Sequence, residues 1–279
     1  MRRAWMVVLA TCGCNQVFGL EPTTSLHADA EIDAIGCSGV RFVGPTSLHG
    51  TVIDGAPFER DPSFGNSPDE IWFARQTANQ DDDLYVATPT SPQGSFDTVV
   101  EAPGLDSSMD DYDLALSADG LDAVFASLRG GSRRAFEATR AVTTASFEPP
   151  SAIPELSGTD LYFGIDLSVD GRTLYYVDRD ENLWSMHRAQ RDQPFDPPAM
   201  VAAGVRKPSV SPDERELFFL VAGTNTGIYR RVRADTTRPF DPVDELINAD
   251  GADPDISPDS KQLVMTIDGS LALLTRTCN

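Results

Sequence analysis

A serine followed two residues later by an aspartate, and then by a short apolar run, recurs five times along this chain. The copies are Ser67-Pro68-Asp69, Ser117-Ala118-Asp119, Ser168-Val169-Asp170, Ser211-Pro212-Asp213 and Ser257-Pro258-Asp259, with the aspartates 50, 51, 43 and 46 residues apart. The runs after them are Ile71-Trp72-Phe73, Ala123-Val124-Phe125, Leu174-Tyr175-Tyr176, Leu217-Phe218-Phe219 and Leu263-Val264-Met265. Short apolar and aromatic runs bounded by turn residues read as strands. A second run follows in most copies (Leu84-Tyr85-Val86, Leu183-Trp184, Ile228-Tyr229, Leu271-Ala272-Leu273), and a Phe then opens a Pro-rich segment at Phe96, Phe147, Phe195 and Phe240. Each copy thus supplies four strands. One four-stranded sheet cannot bury both of its faces, so a period in the forties predicts sheets packed side by side around an axis, the blades of a β-propeller.

The two ends of the chain set the blade count. Five copies between Cys37 and Asn279 leave about 49 residues per blade, enough for four strands and their turns. The last copy stops after Leu271–Leu274 without a Phe-Pro segment, while an unmatched one, Phe42-Val43-Gly44-Pro45, precedes the first copy. The expectation is therefore an all-β propeller of five four-stranded blades, the last completed by the N-terminal strand, which leaves no open sheet edge. A sixth blade within residues 38–60 is the alternative. The first copy departs from the pattern, its apolar run lying two residues closer to Asp69, and the second has the interrupted run Arg133-Arg134-Ala135-Phe136.

The turns Ser211-Pro212-Asp213 and Ser257-Pro258-Asp259, with Ser117-Ala118-Asp119-Gly120 and Ser168-Val169-Asp170-Gly171, resemble the Ser-Pro-Asp-Gly signature of WD-like β-propeller repeats of the TolB type. The resemblance covers nearly everything from Cys37 onward. It implies a fold and leaves the function open, because fold and function are separable. Asp or Gly at the tip, with Ser bonding the same loop, is what a tight hairpin needs, so these columns read as scaffold rather than catalyst.

At the N-terminus, Arg2 and Arg3 precede a short apolar stretch, Ala4 to Thr11, too short for a permanent membrane span, and this reads as a signal peptide. Cys12 and Cys14 follow, in an arrangement that resembles a bacterial lipobox. Cys14, with the small Gly13 before it, is the preferred lipidation site; Cys12, with Leu9 and Ala10 well placed, is the other register. The resemblance implies residues 1–13 as signal peptide, a lipidated Cys14 with a flexible tether over 14–36, and a propeller domain over 37–279. Because Asn15 rather than Asp follows Cys14, it also implies anchoring at the outer membrane. Export brings oxidising conditions. Ring closure places Cys37 and Cys278 in one blade, so a Cys37–Cys278 disulfide is expected.

Composition excludes whole classes of partner. There are 43 Asp and Glu against 22 Lys and Arg, a net charge of −21, and only two lysines, Lys207 and Lys261. Such a surface repels nucleic acid and lacks a polybasic patch for anionic lipid. The three histidines, His27, His49 and His187, leave little material for a His-rich metal centre or a catalytic triad. No nucleophile elbow, phosphate loop or His-Glu-x-x-His pair occurs. Acidic groups remain: Asp110, Asp111 and Asp113 open one blade, Asp160 and Asp166 another, and Asp250, Asp253 and Asp255 a third. First strands line a propeller's axis, so Asp113, Asp166 and Asp255 are the candidate binding residues at the channel mouth. No metal ligand set is assigned and no cofactor is required, although clustered carboxylates suit Ca²⁺; Asp81-Asp82-Asp83 and Asp178-x-Asp180-x-Asn182 look calcium-like but read better as hairpin turns. The sequence thus reads as a monomeric, non-catalytic scaffold binding an envelope protein or small ligand. The alternatives are a glycan- or peptide-acting enzyme in the channel and a calcium-dependent surface module.

Overall fold

Strand follows strand with almost nothing else between them. The computed structural model describes residues 40–48, 58–90, 95–159 and 161–278, and within them the sole helical element named is a 3-10 turn at Pro154–Leu156. The first blade is β2 (Glu59–Phe64), β3 (Ile71–Gln76), β4 (Asp82–Thr88) and β5 (Thr98–Glu101). The second is β6 (Asp111–Leu116), β7 (Asp122–Ser127), β8 (Arg134–Thr139) and β9 (Ser151–Ala152). The third is β10 (Leu161–Leu167), β11 (Thr173–Asp178), β12 (Asn182–His187) and β13 (Ala199–Ala203). The fourth is β14 (Val205–Val210), β15 (Glu216–Val221), β16 (Ile228–Val232) and β17 (Glu245–Asn248). The last is β18 (Ala252–Ile256), β19 (Gln262–Ile267) and β20 (Ser270–Cys278), finished by β1 (Val40–Ser47). The propeller has five antiparallel blades, not six.

Closure follows the sequence reading. β1 runs antiparallel to β20, with Val40 opposite Cys278 and Phe42 opposite Arg276. Phe42 meets Phe218 edge-on at 5.6 Å and lies under the Arg276 guanidinium at 5.2 Å. That stack repeats around the ring: Arg140 lies over Phe147, Arg188 over Phe195 and Arg233 over Phe240, each at 4.4–4.5 Å. The unmatched N-terminal Phe therefore does for the last blade what its own copy lacks. Cys37 and Cys14 lie outside the described residues, so the proposed disulfide and lipid anchor are not visible here.

Burial grades from axis to rim. β6 and β7 are buried along their whole length, whereas β5, β9, β13 and β17 are exposed or half-buried throughout. Apolar clusters join neighbouring blades. Phe73 and Val264 share one between the last blade and the first, Tyr175 and Leu217 one between the third and fourth, and Phe218 and Leu263 one between the fourth and last.

The repeated turn carries its own hydrogen bonds. Ser117, Ser168, Ser211 and Ser257 each donate to the aspartate two residues on at 2.6–2.7 Å and accept the amide of Asp122, Thr173, Glu216 or Gln262 at 2.8–3.0 Å. Positive φ falls three residues after the serine, at Gly120, Gly171, Glu214 and Ser260. The first blade corrects the sequence alignment. There the amide of Gly65 bonds the carbonyl of Glu70, as Ser117 bonds Asp122, so Gly65 holds the serine position and Ser67-Pro68-Asp69 lies two residues further along the turn. This accounts for the apparent two-residue shift.

Candidate functional site

Every first strand is interrupted at the same place. The register of each inner pair slips between Arg60 and Ser63, Tyr112 and Ala115, Leu161 and Ile165, Arg206 and Ser209, and Ala252 and Asp255. Within each slip one residue has positive φ: Asp61 at 50°, Asp113 at 53°, Gly164 at 123°, Lys207 at 49° and Asp253 at 47°. Such bulges re-aim side chains, and non-glycine residues adopt this backbone only when their surroundings hold them there. In the third blade a glycine takes the place because a Cβ would stand 2.8 Å from Pro208 Cδ and 3.0 Å from Lys207 Cα.

The five bulges surround a narrow cavity of about 30 Å³ on the axis, room for one or two waters. One tier holds Asp61, Asp113, Lys207 and Asp253. Lys207 Nζ donates to Asp61 Oδ1 at 2.5 Å and Asp113 Oδ1 at 2.6 Å, with Asp253 Oδ1 at 4.0 Å. Burial pulls the Lys207 ammonium down, but Asp113, Asp61 and Asp253 together lift it above the ordinary lysine range. It is a fixed cation and not an amine nucleophile. Burial raises Asp113 against the pull of Lys207, and it pushes Asp253 up to about 6.

Two residues further along the strands lies a second tier, containing Asp166 and Asp255. Asp166 accepts the amides of Val210 at 2.6 Å and Leu167 at 2.7 Å; Asp255 accepts the amide of Phe64 at 2.7 Å and Ser209 Oγ at 2.8 Å. These carboxyls tie the third blade to the fourth and the last to the first. Burial pushes Asp255 up to about 7, and burial with the neighbouring Asp255 charge holds Asp166 well above the usual carboxylate range.

The three residues singled out from sequence, Asp113, Asp166 and Asp255, thus all line the axis, but Asp113 belongs to one tier and the other two to the next. Asp61, Asp253 and above all Lys207 complete the arrangement. Lys207 carried no signal of its own in sequence; the available one is positional, four residues before the turn serine in the fourth blade, as Asp113, Gly164 and Asp253 are in theirs. Of the calcium-like stretches, Asp178-x-Asp180-x-Asn182 spans the turn between β11 and β12, whereas Asp81 closes a turn and Asp82 and Asp83 open β4. Asp178 accepts the amides of Asp180 and Asn182 and the Trp184 indole N–H at 2.7–3.0 Å, and Asp81 accepts Thr77 Oγ1 at 2.8 Å. Among the described residues no group of three or more His, Cys, Asp or Glu is placed to hold a metal. In the acidic tier the cationic position is taken by the protein's own lysine.

Above the Lys207 tier, where the first strands begin, the channel widens into a basin of about 470 Å³. Asp82, Asp110, Tyr112, Arg60 and Arg133 contribute to its wall. Arg60 pairs with Asp82, and Arg133 lies over the Tyr112 ring at 4.5 Å.

No protein-family model and no characterised sequence matches the chain. Solved structures do. An α-L-arabinofuranosidase from Podospora anserina, in complex with cellotriose, aligns at TM-score 0.60 and 11% identity over 85% of this chain and 96% of its own. A gluconolactonase from Xanthomonas campestris aligns at 0.50 and 12% over 85% and 91%. TolB from Acinetobacter baumannii aligns at 0.48 and 10% over 78% of this chain, which spans about half (54%) of that one. At these identities the likeness is one of fold.

Proposed function

We propose that this five-bladed propeller is a binding protein of the bacterial envelope, tethered through a lipid on Cys14, that holds its ligand at the basin end of the axial channel and does not transform it. One observation carries the reading: the ionisable groups on the axis are already bonded to the protein. Lys207 is held by Asp61 and Asp113, while Asp166 and Asp255 are held by backbone amides and Ser209. An acid/base pair must reach the proton it moves. Asp166 and Asp255 stand below the Lys207 tier, beside a cavity of about 30 Å³ that admits water and no sugar or peptide.

A second reading, a hydrolase with its site in the basin, is favoured by one feature. Asp253, pushed up to about 6 by burial, stands at the basin's edge, and displaced carboxyl pKa values concentrate at active sites. The two are separated by incubating the purified full chain with arabinofuranoside, gluconolactone and peptide substrates alongside the Asp253→Asn variant. Binding without turnover supports the first reading, and turnover abolished by Asp253→Asn overturns it. Mass spectrometry of the membrane fraction is expected to find a diacylglyceryl group on Cys14; a soluble product starting further downstream removes the anchor from the account.

A further inference from the structure

In a chain of net charge −21, one cleft reverses the sign. It lies where the second and third blades meet, has a volume of about 410 Å³, and is lined by Arg133 and Arg134 of one blade and Arg179 of the next, with Ser132, Ser157 and Thr159 among them. Its described lining contains no Asp or Glu; Asp160, beside Thr159 in the chain, lies outside the described residues. Counting that carboxylate as well still leaves three guanidinium groups against one. The axial cavity is the opposite case, with five carboxylates around Lys207.

Local sequence puts the arginines there. The third strands of the other blades open on Asp82, Asn182, Ile228 and Ser270, whereas β8 opens on Arg134 directly after Arg133, the pair that interrupts the apolar run of the second copy. Arg134 Nε donates to Ser132 Oγ at 3.3 Å, and the Arg133 guanidinium lies over the Tyr112 ring at 4.5 Å. Arg179 comes from the turn between β11 and β12, while Ser157 and Thr159 follow the 3-10 turn at Pro154–Leu156, whose Leu156 is buried.

The donor set defines what fits. A guanidinium is a planar fork that matches carboxylate and phosphate oxygens, and hydroxyls donate further bonds to an oxyanion. A carboxylate offers two oxygens and one charge, whereas a phosphate monoester offers three acceptor oxygens and a charge of about −1.5 to −2 at neutral pH. Three cations with three hydroxyls suit the second. The negative charge of the whole chain does not decide the matter, because at physiological salt exposed charges are screened beyond about 8 Å. A cleft lined by one sign concentrates the opposite ion. Its volume falls within the range of small-molecule clefts, about 300–1,000 Å³, which leaves room for an organic carrier beside the phosphate.

We infer that the cleft between the second and third blades is a binding site for a phosphate group, free or carried on a small molecule, with Arg134 and Arg179 as its main charged contacts. The site is additional to the axial one, which it adjoins through Arg133, a residue of both walls, and it does not depend on it.

The test titrates inorganic phosphate, D-glucose 6-phosphate and acetate into the ¹⁵N-labelled full chain at physiological salt and follows the amides of Ser157, Gly158 and Thr159. Both phosphates are expected to shift these amides and to bind about tenfold more tightly than acetate, the worth of one further charge-assisted bond. Arg134→Gln and Arg179→Gln are each expected to weaken phosphate about threefold, the scale of an exposed ion pair, and together about tenfold. Arg238→Gln, at a turn arginine 72% exposed and outside the cleft, is expected to leave binding unchanged. Arg134 and Arg179 are exposed, so an unchanged melting temperature in their variants separates a lost contact from a lost fold. Tighter binding of the ester assigns a carried phosphate and tighter binding of the inorganic ion a free one; the site stands in both cases. Acetate bound as tightly as phosphate overturns the ligand class. Phosphate that leaves the three amides unmoved, binds the double variant as well as the parent, or is weakened equally by Arg238→Gln overturns the site.

Discussion

The repeated turns and the axial bulges occupy equivalent backbone positions in successive blades, yet they treat side chains in opposite ways. At the turn the same residue returns, Ser117, Ser168, Ser211 and Ser257, each making the same pair of bonds. At the bulge the backbone is the same and the residue is not: Asp61, Asp113, Gly164, Lys207 and Asp253 share positive φ but alternate between anion, cation and no side chain. Repetition of residue marks how four of the five blades close the same turn, with Gly65 in that place in the first. Variation at a fixed backbone position marks what the ring as a whole does, because only an unequal set can place one cation among three carboxylates.

The largest effect is expected at the axis. Lys207→Met leaves Asp61 and Asp113 buried without their cation, and breaking a buried pair costs about 3–5 kcal/mol; with the lysine side chain about a quarter exposed (24%), the lower end, about 3 kcal/mol, is expected in urea unfolding. Adding Asp113→Asn recovers part of that loss. Equal stability of Lys207→Met and the parent would remove the ion cluster from the account.

Smaller, and opposite to most acidic proteins, is the pH response of the lower tier. A carboxyl whose folded pKa is raised binds more protons folded than unfolded, so its contribution is fully present below the unfolded value near 3.8 and is lost as pH rises through the folded one. With Asp255 pushed up to about 7 and Asp166 raised in that tier, and Asp253 of the Lys207 tier at about 6, stability is expected to fall between pH 5 and 8. The carboxyls held low at the turns, Asp119, Asp170 and Asp259, are ionised throughout that window and do not oppose it. Asp255→Asn keeps an acceptor for the Phe64 amide and turns its NH₂ to Ser209 Oγ. It is expected to flatten the slope by about 1–2 kcal/mol over the window, measured as denaturation midpoints against pH. An unchanged slope would contradict the buried tier.

The least effect belongs to single turns. Gly120→Ala, at φ 67° with its new Cβ 3.2 Å from Arg140 and Asn66, is expected to cost about 1 kcal/mol, whereas Ser260→Gly, at φ 59° in the equivalent place, is expected to cost nothing or to stabilise by a few tenths. Equal costs would mean that the turns are not equivalent.

The ring was legible in the sequence because every blade must solve the same turn and edge problem with few residue types. The Ser-x-Asp period gave the blade number, and the stray Phe42 gave the closing strand. The first blade misled because Gly65 replaces the serine while Ser67-Pro68-Asp69, by its own turn chemistry, imitates the motif two residues on. At the axis, sequence alone pointed to carboxylates through their number but could not separate Asp113 from the tier of Asp166 and Asp255. The bulge that divides them is a backbone event, shared by Asp, Gly and Lys alike. Lys207 was hidden for the same reason: one basic residue has no pattern until its position relative to Ser211 is compared across blades.

The two lysines provide a direct test of that contrast, since one sits in each region. Lys261 belongs to the repeated turn of the last blade, with its side chain 66% exposed, and Lys207 to the axis. In a sample labelled with ¹⁵N only at lysine Nζ, the account predicts a Lys207 signal that titrates above the ordinary lysine range. A Lys207 signal that titrates within or below that range would contradict it.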